Sequence, residues 1–291
     1  MPAPALTALI TTTQPWPELE PVLDAVVADV EGCGSDVEVL VLDGTPARDA
    51  VPAGRYPSVR VVALGPADVF ECRAAGVREA TGDVVCVVED HAPPLPGWAA
   101  ATVAVHAEHP EASMAVGSMV NGSTATPVQR AAYAITLGPF DDPVQPVRRE
   151  RMPVPANVSF KRSSLPTDPA PGWLEYDAPF AAFSAGRLVT APASRCLHVQ
   201  HFGNVRGITI QFSSGRSYGG SLRGQSRRQK LAHVRTRGRF ATVTYRTSRR
   251  GLGAGAGVVD HAALALMVLT NVAGQLVGLV LGPGRARDAL R

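Results

Sequence analysis

The first hundred residues alternate between two hydrophobic rhythms. The runs ALTALITT (5–12), VEVLVLDG (37–44), VRVVAL (59–64) and DVVCVVED (83–90) are apolar at almost every position and short, which predicts four strands, the first two of them buried. Between them, WPELEPVLDAVVADVEG (16–32) spaces its apolar residues as a helix does and stops at Gly32 and Gly34, and ECRAAGVREATG (71–82) predicts a second helix. Strands that are apolar throughout and separated by helices predict an α/β fold with a mostly parallel central sheet covered on both faces. Ligands of such sheets bind beyond the carboxyl ends of the strands. That rule selects Thr11, Thr12 and Thr13 after the first strand, Asp43 after the second, and Glu89, Asp90 and His91 after the fourth.

Further along, a helix is predicted from Trp98 to His109, a strand in ASMAVGSMVNG (112–122), and an ordered loop or flap in the proline- and charge-rich residues 138–155. VPANVSFKR (154–162) returns to a strand. GWLEYDAPFAAFSAGRLVTAPASRCLHVQHFG (172–203) reads as a helix, a glycine stop, a strand and a loop bearing His198 and His201. Beyond about Gly207 the character changes. Ten lysines and arginines and no carboxylate lie between Arg223 and Arg250, followed by the glycine-rich hinge GLGAGAG and an uncharged run from Ala262 to Pro283. The chain is accordingly divided into a body, 1–220, and a basic and apolar helical tail, 221–291.

Charge over the whole chain is nearly balanced, 28 lysines and arginines against 25 acidic residues, and gives no reason to expect nucleic acid as a partner. The four cysteines, Cys33, Cys72, Cys86 and Cys196, have no CxxC spacing, which argues against a zinc site or redox pair and for a reduced, cytoplasmic chain. The N-terminal residues show no basic segment leading into a long apolar run, so no signal peptide is expected.

Taken in order, ITTTQPWPEL, VLVLDGT with Asp43, ECRAAGVREATGD with Arg73, VVEDHAPPLPGW, PANVSFKR and WLEYDAPFAAFSAGRLV resemble the successive motifs of the family 2 glycosyltransferases of the GT-A fold. The resemblance covers roughly residues 5–220 and rests on order and spacing. It implies a nucleotide-sugar donor contacted by Thr11, Thr12, Thr13, Asp43, Arg73 and Asp90, and a divalent cation, Mn or Mg, held at the EDH segment by Glu89 and His91. His91 stands where the family has its last aspartate, a departure that leaves the metal's identity open; manganese accepts imidazole as well as oxygen. The resemblance places His198, with His201 as the nearby substitute, at the position that completes the metal sphere. The spacing back from Gly186 places the catalytic base at Glu175, with Asp177 as competitor. A base is needed because an alcohol is a poor nucleophile at neutral pH. QFSSGRSYGG (211–220) lacks the Arg-Trp ending of processive members, which argues against polymerisation. Asn157 is expected to support the loop beneath the acceptor.

The tail run is long enough to cross a bilayer, yet Thr270, Asn271, Gly274, Gln275 and Gly278 form one small or polar stripe, and basic residues flank it on both sides. The expected arrangement is a helix peripheral to the cytoplasmic membrane face, in contact with anionic headgroups, or packed in a homodimer; the alternative is a buried helix closing the domain. The functional expectation is an inverting, metal-assisted sugar transferase acting on a lipid-linked or polysaccharide-precursor hydroxyl. A nucleotidyltransferase would want a glycine-rich basic loop after the first strand, which ITTTQPWPEL is not. A non-catalytic scaffold of the same fold is the third reading.

Overall fold

The structure, a computed structural model, describes residues 3–46, 50, 52, 54–148, 152–199 and 202–286. They form two compact units, Met1–Val120 with Phe140–Val199, and Asn121–Pro139 with Gln200–Arg291.

In the first unit the apolar runs become β1 (Leu6–Thr12), β2 (Val37–Asp43), β3 (Val59–Ala63) and β4 (Val84–Glu89). They pair in parallel, β2 with both β1 and β3, and β1 also with β4. β5 (Met114–Asn121), β6 (Asn157–Lys161) and β7 (Leu188–His198) extend the sheet in the order β3-β2-β1-β4-β6-β5-β7. β6 runs antiparallel to both its neighbours, a direction the apolar pattern does not encode. The sheet carries α1 (Trp16–Glu31), α2 (Val69–Glu79), α3 (Trp98–Glu108) and α5 (Trp173–Ser184), so the α/β expectation holds. The register sets Thr12 beside Asp43 and Thr11 beside Glu89, which gathers the ends of three strands along one edge. α2 starts two residues before, and ends three residues before, the segment predicted for it. Asp68 caps it in a capping box with Glu71, fixing the helix that carries Arg73. Gly76 lets α2 lie directly on β1, since a methyl group there would overlap Leu9.

Asn157 lies deep in the sheet, at the start of β6. Its carbonyl accepts the indole N–H of fully buried Trp98 at 3.0 Å, and its amide donates to the carbonyls of Ser118 and Ser194 at 3.1 and 3.0 Å. One side chain thereby ties β5, β6, β7 and α3 together, a positioning task that leaves no hydrogen-bonding capacity to spare.

The second unit holds α4 (Pro127–Thr136), α6 (Asn204–Ser221), α7 (Arg227–Arg235), α8 (Arg237–Ser248) and α9 (Val258–Leu281). Its core joins Ala131, Ala134 and Ile135 of α4 with Leu264, Met267 and Val268 of α9. Leu252, inside the glycine-rich segment, is buried in the same cluster. The small and polar stripe of α9 is covered by α6. A methyl on Gly215 or Gly219 would overlap the carbonyls of Asn271 or Gln275, and one on Gly274 or Gly278 those of Phe212 or Arg216. Two Gly-x-x-x-Gly segments thus let the two backbones touch. Asn271 donates to the Gln211 carbonyl at 3.2 Å, and Gln275 to Asn271 at 2.8 Å.

Candidate active site

The carboxyl end of β4 hands Glu89 to the crevice, and Asp90 and His91 follow in the turn. His198 arrives from more than a hundred residues away because the turn after β4 pairs with the end of β7. The Leu95 N–H donates to Arg195, Leu197 to Pro93 and Val199 to His91, each at 2.9 Å. These bonds set the two imidazoles edge to face, with their Nε2 atoms 3.1 Å apart. Glu89 Oε2 lies 3.5 Å from each of those nitrogens.

Asp90 is not one of this trio but braces it. One of its oxygens accepts from His91 Nδ1 at 2.8 Å and the other from the Thr12 hydroxyl at 2.9 Å. The first bond fixes the His91 ring so that Nε2 points at His198, the usual way a carboxylate orients a metal-binding imidazole. Two facing ring nitrogens cannot both carry protons at this distance, and the electrostatics divide them. Burial opposes the charge on His91, but the bond to Asp90 and the charges of Glu89 and Asp90 win and raise its pKa. Burial, with the charge of His91 added, lowers that of His198 against its bond to Glu89. Burial alone would raise Glu89; the His198 bond and the charges of His91, His198 and Arg73 bring it down to about 2.

Arg73, on α2, is the hinge between this trio and the base candidate. Its guanidinium is buried and donates to Glu175 Oε1 at 2.9 Å, to the Pro155 carbonyl at 2.9 Å and to Glu89 Oε1 at 3.4 Å. Glu175 sits in the first turn of α5, and its side chain is 9% exposed. Burial raises its pKa, opposed by the charge and hydrogen bond of Arg73. Its second oxygen, Oε2, is buried without a donor among the described residues. Asp177 stands two residues on, roughly 200° around the helix, and is exposed. The two carboxylates that Arg73 meets thus come from β4 and α5, other elements of the fold.

Asp43 is buried at the end of β2, where one oxygen accepts from the backbone N–H and hydroxyl of Thr45 at 2.9 and 2.5 Å. Thr45 is a neighbour of the crevice that sequence reasoning passed over; an Asp-Gly-Thr turn after a buried strand was the available signal. Thr11 is buried, and Thr13 half-buried. His201 and residues 149–151 of the expected flap lie outside the described residues.

The donor set fits a divalent cation. Ligand atoms held about 2.1 Å from one ion in tetrahedral or octahedral array lie roughly 3.0–3.4 Å from one another, and the spacings here are 3.1 and 3.5 Å. Glu89, His91 and His198 form the one such group among the described residues. Two imidazoles and one carboxylate suit manganese better than magnesium, which favours an all-oxygen shell.

No protein-family model and no curated protein sequence matches the chain. Solved structures do. A mannosyltransferase from Pyrobaculum calidifontis, in complex with GDP-Man and Mn2+, matches at a TM-score of 0.53 and 15% identity over 96% of this chain and 88% of that one. The fold is of the GT-A type. Also similar are GalNAc-T7 with UDP, GalNAc and Mn2+ (TM-score 0.46, 14% identity, 74% of this chain and 50% of that one) and glucosyl-3-phosphoglycerate synthase from Mycobacterium tuberculosis with phosphoglyceric acid (0.45, 14%, 68% and 73%). At these identities the GT-A likeness is one of architecture, and the chemistry rests on this chain's own side chains.

Proposed function

We propose that this chain is a glycosyltransferase that moves a sugar from a nucleoside-diphosphate donor to a hydroxyl acceptor, with inversion at the anomeric carbon. One observation carries the reading. A single buried guanidinium, Arg73, joins a trio of metal-capable atoms to a buried carboxylate that keeps one oxygen without a donor among the described residues. The mannosyltransferase of the same fold, solved with GDP-Man and Mn2+, supports the choice of donor and cation.

Glu89, His91 and His198 would hold the cation, which neutralises the departing diphosphate. Asp90 keeps His91 in the ligating tautomer. Arg73 adds fixed positive charge beside the trio and aligns Glu175. Glu175 Oε2 takes the acceptor's hydroxyl proton while the acceptor oxygen bonds to the anomeric carbon and the carbon–phosphate oxygen bond breaks, its electron pair leaving with the diphosphate. One base and one displacement give inversion. The finer part of the proposal is an acceptor that is a lipid-linked or polysaccharide-precursor hydroxyl, used at the cytoplasmic face of a membrane.

The test is transfer and hydrolysis with a panel of nucleotide-sugars, with and without manganese. The proposal expects nucleoside diphosphate to be released from one donor class only when manganese is present; release from none, in wild-type protein that binds manganese, would contradict it.

A further inference from the structure

The two units differ sharply in charge. The first carries 12 lysines and arginines against 23 acidic residues, formally −11, and the second 16 against two aspartates, formally +14. Of those two aspartates, Asp260 is buried and held by Arg130 at 2.7 Å, and Asp288 lies outside the described residues. The exposed cationic surface includes Arg223, Arg227, Arg228, Arg239, Arg246 and Arg250.

On this unit α9 presents an apolar line that is largely exposed among the described residues. With its small and polar face closed by α6, the opposite side runs Val259, Ala262, Leu266, Leu269, Ala273, Leu276 and Val280, at spacings of three and four residues. Val259 is 67% exposed, Leu266 49%, Leu269 61% and Val280 71%. The line extends about 30 Å along the helix axis, far more continuous than the scattered apolar residues normal on a protein surface.

We infer that this face of α9 lies flat in the interfacial layer of an anionic lipid bilayer, its apolar line among the acyl chains near the headgroups and the arginines of the second unit drawn to their charge. The inference deepens the membrane part of the proposed function and rests on it; it needs nothing from sugar transfer. Charge selects the occupant. A second copy meeting this line would bring another +14 unit against the first, whereas an anionic surface is attracted to it. Packing selects the orientation. α9 has the length and hydropathy of a span, but it is locked to α6 through the paired glycines. α6 carries Arg206, Gln211 and Arg216, so sinking the pair across the bilayer would drag those groups into hydrocarbon. Lying flat costs neither the packing nor the charges.

The experiment uses the full chain, without donor or acceptor, and flotation on vesicles of phosphatidylglycerol or of phosphatidylcholine. Wild type is expected to float with phosphatidylglycerol, to bind phosphatidylcholine at least about tenfold more weakly, and to be partly released by high salt. Leu266→Glu combined with Leu269→Glu changes exposed positions only and is expected to weaken binding about tenfold or more, with unchanged circular dichroism. Labels at Ala262→Cys and Ala273→Cys, in a Cys33→Ser background, are expected at one shallow depth. Undiminished flotation of the double variant would overturn the inference, as would two label depths separated by the rise of a spanning helix. A soluble dimer dissolved by the same double variant would also overturn it, by making a second copy the occupant. Because no donor is present, a chain that floats as expected but transfers no sugar would refute the catalytic reading alone.

Discussion

Arg73 and Glu175, 102 residues apart in sequence, meet at 2.9 Å in a buried ion pair, and the same guanidinium reaches back to Glu89. Removing one partner of such a pair leaves the other charge buried, so the geometry makes separate demands on each member. For Glu175→Gln, turnover should fall about a hundredfold or more, the scale of losing a general base, with donor affinity nearly unchanged because the base contributes only in the transition state. Asp177→Asn, at an exposed position on another face of α5, should stay close to wild type. Steady-state kinetics beside calorimetric donor titration checks both; the opposite pattern would move the base by two residues.

The pH profile follows from the same pair. Glu175 must be ionised to accept a proton, and its burial raises its pKa against the pull of Arg73. The acid limb of kcat should therefore lie above the ordinary carboxylate range, with activity gained as pH rises through it. In Arg73→Gln the lowering influence is gone, and what activity remains should have its limb displaced further upward. A limb that stays put would separate Arg73 from the base.

Acid stability reports on Glu89. Its folded pKa, about 2, is below its unfolded value, so its contribution is present above the unfolded pKa and is lost as pH falls through the folded one. Wild type should lose on the order of 2–3 kcal/mol from this source between about pH 4 and pH 2. Denaturant unfolding across that interval should show a shallower pH slope in Glu89→Gln.

Strands β1, β2 and β4 and the residues at their ends were legible because a buried strand writes its burial into consecutive apolar positions, whereas β3, equally apolar in sequence, is a largely exposed edge strand. Thr12, Asp43, Glu89 and His91 follow such runs directly, and the order of motifs pointed to the GT-A architecture. Direction and distance were not legible. NVSFK (157–161) reads as a strand, but nothing in it says that it runs against β4, and His198 meets His91 only through backbone pairing that no side-chain pattern records. Arg73 illustrates the same limit. The motif order marked it as a donor contact, but nothing in ECRAAGVREATG says that the fold buries it against Glu89 and Glu175. The polar stripe of α9 was legible as a stripe; its partner, α6, was hidden because nothing in QFSSGRSYGG says which backbone its glycines meet.

That contact gives a direct prediction. A side chain at Gly219 would overlap the Gln275 carbonyl, so Gly219→Val should force α6 and α9 apart at a cost of about 2 kcal/mol or more. Gly224→Ala, at a position with open space around it, should have little effect. Thermal unfolding of the two variants checks the pair.

The central claim is that Glu89, His91 and His198 hold a divalent cation for a nucleoside diphosphate. Titrating Mn2+ into the full chain, followed by the electron paramagnetic resonance of free manganese, measures this without turnover. Saturable binding is expected, tightened by the correct nucleoside diphosphate and weakened about tenfold or more in His198→Ala and in Glu89→Gln. Undiminished affinity in both variants, with the fold intact by circular dichroism, would contradict the account.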